Sequence, residues 1–520
     1  MFRIPYRLQE RLFSIVEAIP PLASAVNRWA INRTVNRARA RPHPLSTERP
    51  YVNWAGLTDR RWSARHLPPD PRAYKTAPEA LMPLFRRRDG EQRLCPKSTC
   101  LFPAFAQYLT DGFIRTESPN LTRPGEDPQT HLKRNTSNHE IDLCTLYGRT
   151  EAQTNALRLR SNETGRRGRL KSQMIDGEEF PPFYDKNGAP DPDFDVLDPP
   201  LVDENLPADQ RAALFAVGGD RVNSVPQTSM INTLLLREHN RLAAEIEAAH
   251  PDWDDDRIFE TARNTLIVIF IKIVVEEYIN HISPLPFHLK ADPSVAWDAP
   301  WNKPNWITTE FSLLYRWHAL IPDRMTWDGD LLPVTSLVQN NLPLIKRGLL
   351  GAFADVSATR AAELGPQNTA EHLLKVEQKS VEQDRFCELA GFSDYCDYLQ
   401  LQRPFSFKDI SSTPEVADML AQFYDRPRDV DFHVGLFCED RVPNSPLPNL
   451  VLRFVALDAF SQALTNPLLS RHVFKRSTFS GPGWHAIKST QSLRDVLDRN
   501  VDGGVGNAFV GMTRGAWVPE

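Results

Sequence analysis

Apolar positions recur at three- and four-residue spacing along most of the chain, and strict alternation of apolar and polar residues is sparse. The spacing predicts helices over 102–114, 229–249, 254–282, 307–320, 412–424 and 454–465. Pro251, Pro284, Pro286 and Pro322 supply stops. The Thr228–Ser229 pair reads as the cap of the second helix, and Asp254, Asp255 and Asp256 as the acidic first turn of the third. The longest apolar run, 265–275, is broken by Lys272, followed by Glu276 and Glu277, and is too short to span a bilayer. No internal repeat is visible. The expected fold is mainly α, with long proline-rich connections and little β.

The first 44 residues have a different pattern. They carry eight arginines, no lysine and two acids, Glu10 and Glu17. Leu8, Leu12, Ile15, Val16 and Ile19 form one apolar stripe that ends at Pro20-Pro21, and a second stretch over 22–31 contains Trp29. A basic amphipathic segment can lie in a membrane interface or cap the body of the protein, and the sequence leaves both open. The expected organisation is this segment, 1–44, followed by one catalytic body over 45–520.

Composition narrows the class. Among 520 residues there are 43 prolines and 24 glycines, 41% hydrophobic and 24% charged positions, and a net charge of −5. These values exclude collagen-like and low-complexity chains, and the near-neutral balance argues against a nucleic-acid partner. Cys95, Cys100, Cys144, Cys387, Cys396 and Cys438 form no CxxC pair. They read as free thiols in a reducing cytoplasm; in an oxidising compartment Cys95 and Cys100 would be the pair to bridge.

Chemistry concentrates in Glu310-Phe-Ser-Leu-Leu-Tyr315-Arg-Trp317-His318. On a helix, Tyr315 and His318 would share a face, a histidine able to ligate a metal beside an oxidisable phenol. Alone the pair is weak evidence, because a packed aromatic helix with one hydrogen-bonded histidine has the same pattern. The surrounding residues add to it. The stretch 309–323, TEFSLLYRWHALIPD, resembles the segment of the cyclooxygenase branch of the animal-type haem peroxidase family that carries its radical tyrosine and proximal histidine. The stretches NTLLLREHNRLAAEIEAAHPDW (232–253), 258–292 and IDLCTLYG (141–148) are similar to further family segments, in order, between about residues 50 and 490.

The resemblance implies non-covalent haem b with its iron on His318, a catalytic radical on Tyr315, and Tyr278 hydrogen-bonded to that tyrosine. It implies a substrate channel lined by Phe311, Trp317 and Ser461, with Leu464 where a glycine opens the far end. Leu285 stands where relatives place a carboxylate-binding tyrosine, and the matching arginine falls at Arg37 or a neighbour. Gln107 matches the distal glutamine. The chain departs from the family four residues later, where Asp111 replaces the distal histidine. A carboxylate of tuned pKa can still shuttle a peroxide proton. Gly219-Asp220-Arg221 resembles the motif that places a distal arginine in peroxidases, so Arg221 joins the catalytic candidates. Thr110 and Ser224 stand where ester-linked haem needs carboxylates, which argues against covalent attachment.

The reading these residues favour is a haem-dependent dioxygenase that abstracts hydrogen from an unsaturated fatty acid or similar apolar substrate and adds O2. The alternatives are a peroxidase or peroxygenase using hydrogen peroxide through Asp111 and Arg221, and a non-catalytic haem protein. The expected partners are an apolar small molecule and O2 or peroxide, with peripheral membrane contact and a homodimer left open. His239, His131 and His139 read as structural or solvated. Gly481-Pro482-Gly483 and Gly503-Gly504-Val505-Gly506 read as turns.

Overall fold

The computed structural model describes residues 5–35, 45–88 and 92–514, so Arg37 lies outside the described residues. The chain opens with helices α1 (Tyr6–Glu17) and α2 (Pro20–Val35), divided where the Pro20-Pro21 pair predicts. Proline suits the first turn of α2, whose N–H groups have no helical partner in any case. Helix α1 buries none of its side chains; α2 buries Asn27, Ile31 and Val35.

The helices that shape the interior are α3 (Leu101–Asp111), α4 (Pro226–Ala249), α5 (Asp255–Ile273), α6 (Thr309–Leu314), α7 (Leu374–Phe386), α8 (Phe432–Cys438), α9 (Asn449–Leu464) and α10 (Arg476–Ser489). Helices α4, α5 and α10 pack on one another, α3 lies on α4, and α9 packs on both α2 and α6. Their apolar side chains join one contiguous cluster that runs from Ile31 to Met512. The β content is five two-stranded antiparallel ribbons among the described residues, of which Leu94–Thr99 with Arg360–Ala362 and Arg324–Trp327 with Asp330–Pro333 are the longer. The mainly α expectation holds.

Helix α4 is buried along most of its length, including the charged run Arg237-Glu238-His239-Asn240. Burial is tolerable because each member is partnered. Arg237 donates to the Glu179 carbonyl and pairs with Glu178, Glu238 receives Arg241, Arg499 and Asn500, and His239 bridges the Tyr147 hydroxyl and the Gly168 carbonyl. His239 is thus structural. His139 departs from the solvated reading. It is buried between the Arg60 carbonyl and the Ile307 N–H, and burial lowers its pKa to about 4.

Several local readings change. Helix α4 starts at Pro226, ahead of the expected cap. Thr228 and Ser229 sit in its first turn, where their hydroxyls donate back to the Val222 carbonyl. Asp254 does cap α5, accepting the Arg257 N–H at 2.8 Å. The helical path then continues to Ile282, as the spacing predicts, but through a π-helical turn at Val274–Ile279. Gly481-Pro482-Gly483 follows a break in α10, where Ser480 has φ 62° and non-helical backbone, so the turn reading holds at the kink and the triplet opens the second half of the helix. A Cβ at Gly483 would come within 2.6 Å of Thr265 Oγ1, so the glycine permits the close approach of α10 to α5. Gly503, Gly504 and Gly506 have positive φ and keep the turn reading. All six cysteines are free and buried.

Candidate active site

Two stretches of the core are closed except at a few positions. On α3, Gln107 and Asp111 alone are incompletely buried, one helical turn apart, so both project from one face. From Thr309 to Leu320 only Tyr315, Arg316 and His318 are incompletely buried. These five polar side chains are the incompletely buried positions of two otherwise buried stretches, and Arg316 lies close enough to Asp111 to feel its charge.

Tyr315 and His318 do not share a helix, contrary to the spacing. Helix α6 is capped by the Thr308 side chain, which accepts the Phe311 N–H, and ends at Leu314. The Trp317 indole N–H takes the Leu314 carbonyl at 2.6 Å, so that acceptor is satisfied by a side chain and the ladder stops. His318 then opens a separate 3₁₀ turn, His318–Leu320.

The phenol of Tyr315 receives a hydrogen bond from the Tyr278 hydroxyl at 3.3 Å. Tyr278 is fully buried and comes from the π-helical turn, where the extra residue re-aims side chains relative to an α-helix. Trp317 stacks on the Tyr315 ring at a centroid distance of 4.8 Å, and Phe311 lies at 4.8 Å on a tilt. Burial raises the pKa of both tyrosines, so each phenol keeps its proton at neutral pH. Ser461 and Leu464 are buried on α9 against α6, and the Ser461 hydroxyl bonds the Asp458 carbonyl of its own helix at 3.0 Å. Leu285 lies on the surface, 52% exposed, beyond the helical end at Ile282.

His318 is held from behind. Its Nδ1 meets Glu377 Oε1 at 3.1 Å, on α7, and the other oxygen of Glu377 meets His433 Nε2 at 3.2 Å, on α8. Thr369 also donates to Oε1, at 3.2 Å. Burial opposes the charge on Glu377, but the two histidines outweigh it and bring the pKa down to about 2. An ionised carboxylate only accepts, so His318 carries a hydrogen on Nδ1, which leaves Nε2 as the nitrogen available to a metal. Among the described residues no three histidine, cysteine or acidic side chains form a group that could hold a metal ion.

On the α3 side, Arg221 Nη1 lies 3.8 Å from Asp111 Oδ1 and donates to the Ile114 carbonyl. Asp111 Oδ2 is buried without a hydrogen-bond partner. Burial raises the Asp111 pKa to about 6, against the opposing pull of Arg221 and Gln107. Asp220 is not free for this site; it pairs with Arg115 at 2.8 Å. Arg316 feels both sides, Asp111 and Arg221 on one and Glu377 on the other. Burial lowers its pKa to about 10, and its buried Nε has no partner. Sequence reasoning missed Arg316, Glu377 and His433. Arg316 stood inside the motif, flanked by residues of more obvious chemistry, whereas Glu377 and His433 carried no local signal.

A separate cleft of about 1000 Å³ lies behind α3, lined by groups such as Arg60, Arg115, Asp142, Arg149 and Glu260. It takes no side chain from the Tyr315–His318 segment.

Curated relatives agree along nearly the whole chain. Prostaglandin G/H synthase 2 of Bos taurus is 28% identical over 510 residues, covering 95% of this chain and 79% of that protein. Prostaglandin G/H synthase 1 of Rattus norvegicus is 28% identical over 477 residues, 88% of this chain and 74% of that one. Among solved structures, the fatty acid alpha-dioxygenase of Oryza sativa superposes with a TM-score of 0.68 at 16% identity, covering 96% of this chain and 90% of that one. Peroxidase A of Dictyostelium discoideum gives 0.66 at 19% identity, with 88% and 93% covered. These two establish a common fold. Residues 103–508 match the animal haem peroxidase family, and the chain belongs to it.

Proposed function

We propose that this protein is a haem-dependent dioxygenase that uses a Tyr315 radical to oxygenate a fatty acid or a similar apolar molecule. The observation that carries the reading is the Tyr278–Tyr315 hydroxyl pair, buried among aromatic rings and three residues from a histidine whose Nδ1 is held by Glu377. A peroxidase needs the histidine but has no use for that pair. The curated relatives are prostaglandin synthases, which fits the same reading.

The residues fit haem. His318 Nε2 would ligate the iron, Arg316 supplies a positive charge of the kind a haem carboxylate pairs with, and Gln107 and Asp111 supply incompletely buried polar groups on α3. Bound haem would supply the one-electron oxidising power once a peroxide has reacted with it. Asp111 Oδ2, lacking a partner, would take a proton from one peroxide oxygen and return it to the other, with the Arg221 guanidinium alongside to stabilise negative charge.

With haem bound and oxidised, Tyr315 would lose one electron and its phenolic proton together to that group, which would be reduced by one electron, and the Tyr278 hydroxyl would keep its hydrogen bond to the phenoxyl oxygen. That oxygen takes a hydrogen atom from a substrate carbon and becomes a phenol again. O2 adds to the carbon radical, and the peroxyl radical recovers a hydrogen atom from Tyr315, which yields a hydroperoxide and restores the phenoxyl. Phe311, Trp317, Ser461 and Leu464 would hold the apolar chain so that one carbon meets the phenol.

The exposed apolar stripe of α1, Leu8, Leu12, Ile15 and Ile19, continues through Leu22 to Trp29, with Arg7 and Arg11 beside it. We infer that this face lies on lipid, the reservoir of an apolar substrate. No described helix is long and apolar enough to cross a membrane.

The test of function is oxygen uptake by haem-loaded protein given a series of fatty acids, with products identified by mass spectrometry. Stoichiometric O2 incorporation supports the reading. Peroxide-dependent substrate oxidation without O2 uptake would establish the peroxidase alternative.

A further inference from the structure

The imidazole of His318 is fixed by a chain of three side chains from three separate parts of the fold. Glu377 on α7 accepts His318 Nδ1–H at 3.1 Å through one oxygen, and His433 Nε2–H on α8 at 3.2 Å through the other. Thr369, in the segment before α7, donates to the first oxygen as well. Glu377 and His433 are fully enclosed, at 2% and 0% exposure. His433 is itself immobilised: its ring stacks on Phe85 at 5.7 Å, meets Phe437 edge-on at 4.9 Å, and its backbone N–H is held by Asp384 at 2.8 Å.

Tautomers follow from the acceptor in the middle. A carboxylate with histidine nitrogens on both oxygens obliges each of those nitrogens to carry hydrogen. His433 must therefore keep its proton on Nε2, and its buried Nδ1 is left with no partner. A buried ring nitrogen without a partner destabilises the fold. A phenylalanine would fill this apolar niche without that cost. The fold retains the imidazole all the same, which is explained if the Nε2–H bond to Glu377 is what the position is for.

We propose that Glu377 and His433 are positioning residues that set the tautomer, ring orientation and electron donation of His318 as the axial haem ligand. The inference rests on His318 being that ligand. A full carboxylate on Nδ1–H draws that hydrogen outward and makes Nε2 a stronger donor, which favours the oxidised metal and lowers its reduction potential. His433 and Thr369 prevent the carboxylate from turning away. Glu377 does not touch substrate or the reacting atoms; it works through His318.

The experiment compares wild type, Glu377→Gln, Glu377→Leu, His433→Phe and His318→Ala after loading with haem. Haem affinity is read from titration of the Soret band, the iron–histidine stretch from resonance Raman of the ferrous protein, and the reduction potential from spectroelectrochemistry. Glu377→Gln keeps size and an acceptor oxygen but removes the charge. It should bind haem, with a lower iron–histidine frequency and a higher potential. Glu377→Leu should weaken haem binding about 10- to 100-fold, the usual loss when a ligand's hydrogen-bond partner is removed. His433→Phe should lie between wild type and Glu377→Gln in both spectroscopic readouts. A Glu377→Gln protein whose frequency and potential match wild type overturns the proposal, provided His318→Ala has lost the histidine-ligated spectrum. If His318→Ala keeps that spectrum, the ligand assignment itself is wrong. Unfolding curves for each apoprotein separate a folding defect from a change at the haem.

Discussion

The Tyr278 hydroxyl donates to the Tyr315 phenol across 3.3 Å, inside a cage of Phe102, Phe105, Phe311 and Trp317 rings. The bond holds one phenol in one orientation at the place where a hydrogen atom must be exchanged. Replacing Tyr278 with phenylalanine removes the donor and keeps the ring. A neutral hydrogen bond contributes about 1 kcal/mol, so the rate of oxygen uptake should fall about fivefold. The electron paramagnetic resonance spectrum of the tyrosyl radical should also change, since the phenol ring is free to rotate. Haem affinity should be unaffected.

Asp111 gives a pH prediction with a definite sign. Burial raises its pKa to about 6 in the folded protein. A carboxyl group whose folded pKa exceeds its unfolded value stabilises the fold at low pH, and that stabilisation is lost as pH rises through the folded value. At neutral pH the ionised Asp111 is therefore a burden on the fold. Asp111→Asn should raise stability at pH 7 by about 1 kcal/mol, read from denaturant unfolding, with a smaller gain at pH 4. The same substitution should slow hydroperoxide reduction and abolish an activity limb that, in wild type, rises with pH around 6.

The N-terminal pair gives a third test. Helix α1 leaves Leu8 48% and Ile15 61% exposed, and Trp29 on α2 is 61% exposed. Changing Leu8, Leu12 and Ile15 together to serine should abolish co-flotation with liposomes and leave the Soret band intact. Flotation that survives would remove α1 from the account of membrane contact.

Packing supplies a fourth. Gly483 faces Thr265 so closely that a methyl group would lie 2.6 Å from its hydroxyl oxygen. Gly483→Ala must separate α10 from α5 and should cost about 1–3 kcal/mol in stability, despite alanine's better helix propensity. Thermal unfolding of the apoprotein measures it. A neutral or stabilised variant would show that the two helices can part freely.

Much of this architecture was legible because helical periodicity is local. The break between α1 and α2 at Pro20-Pro21, the capping of α5 by Asp254 and the long helices α4 and α9 follow from residues within a few positions of one another. The Tyr315–His318 motif and its aromatic neighbours were readable for the same reason. What sequence spacing cannot express is a side chain that competes with the backbone. Trp317 takes the Leu314 carbonyl, ends α6 early and turns His318 into a separate turn, so the shared helical face predicted for Tyr315 and His318 does not form. The π turn that re-aims Tyr278 leaves no mark on composition. Glu377 sits in a helix rich in charge, where an acid reads as solvated, and only the tertiary fold brings it 3.1 Å from a histidine 59 positions away.

The central claim, that Tyr315 carries the oxidising radical, is tested most directly by oxygen uptake with fatty acid, comparing haem-loaded wild type with Tyr315→Phe. The variant should retain its Soret band and its reaction with hydroperoxide, give no tyrosyl radical from this position, and consume no oxygen. Oxygen consumption at the wild-type rate in Tyr315→Phe would contradict that claim.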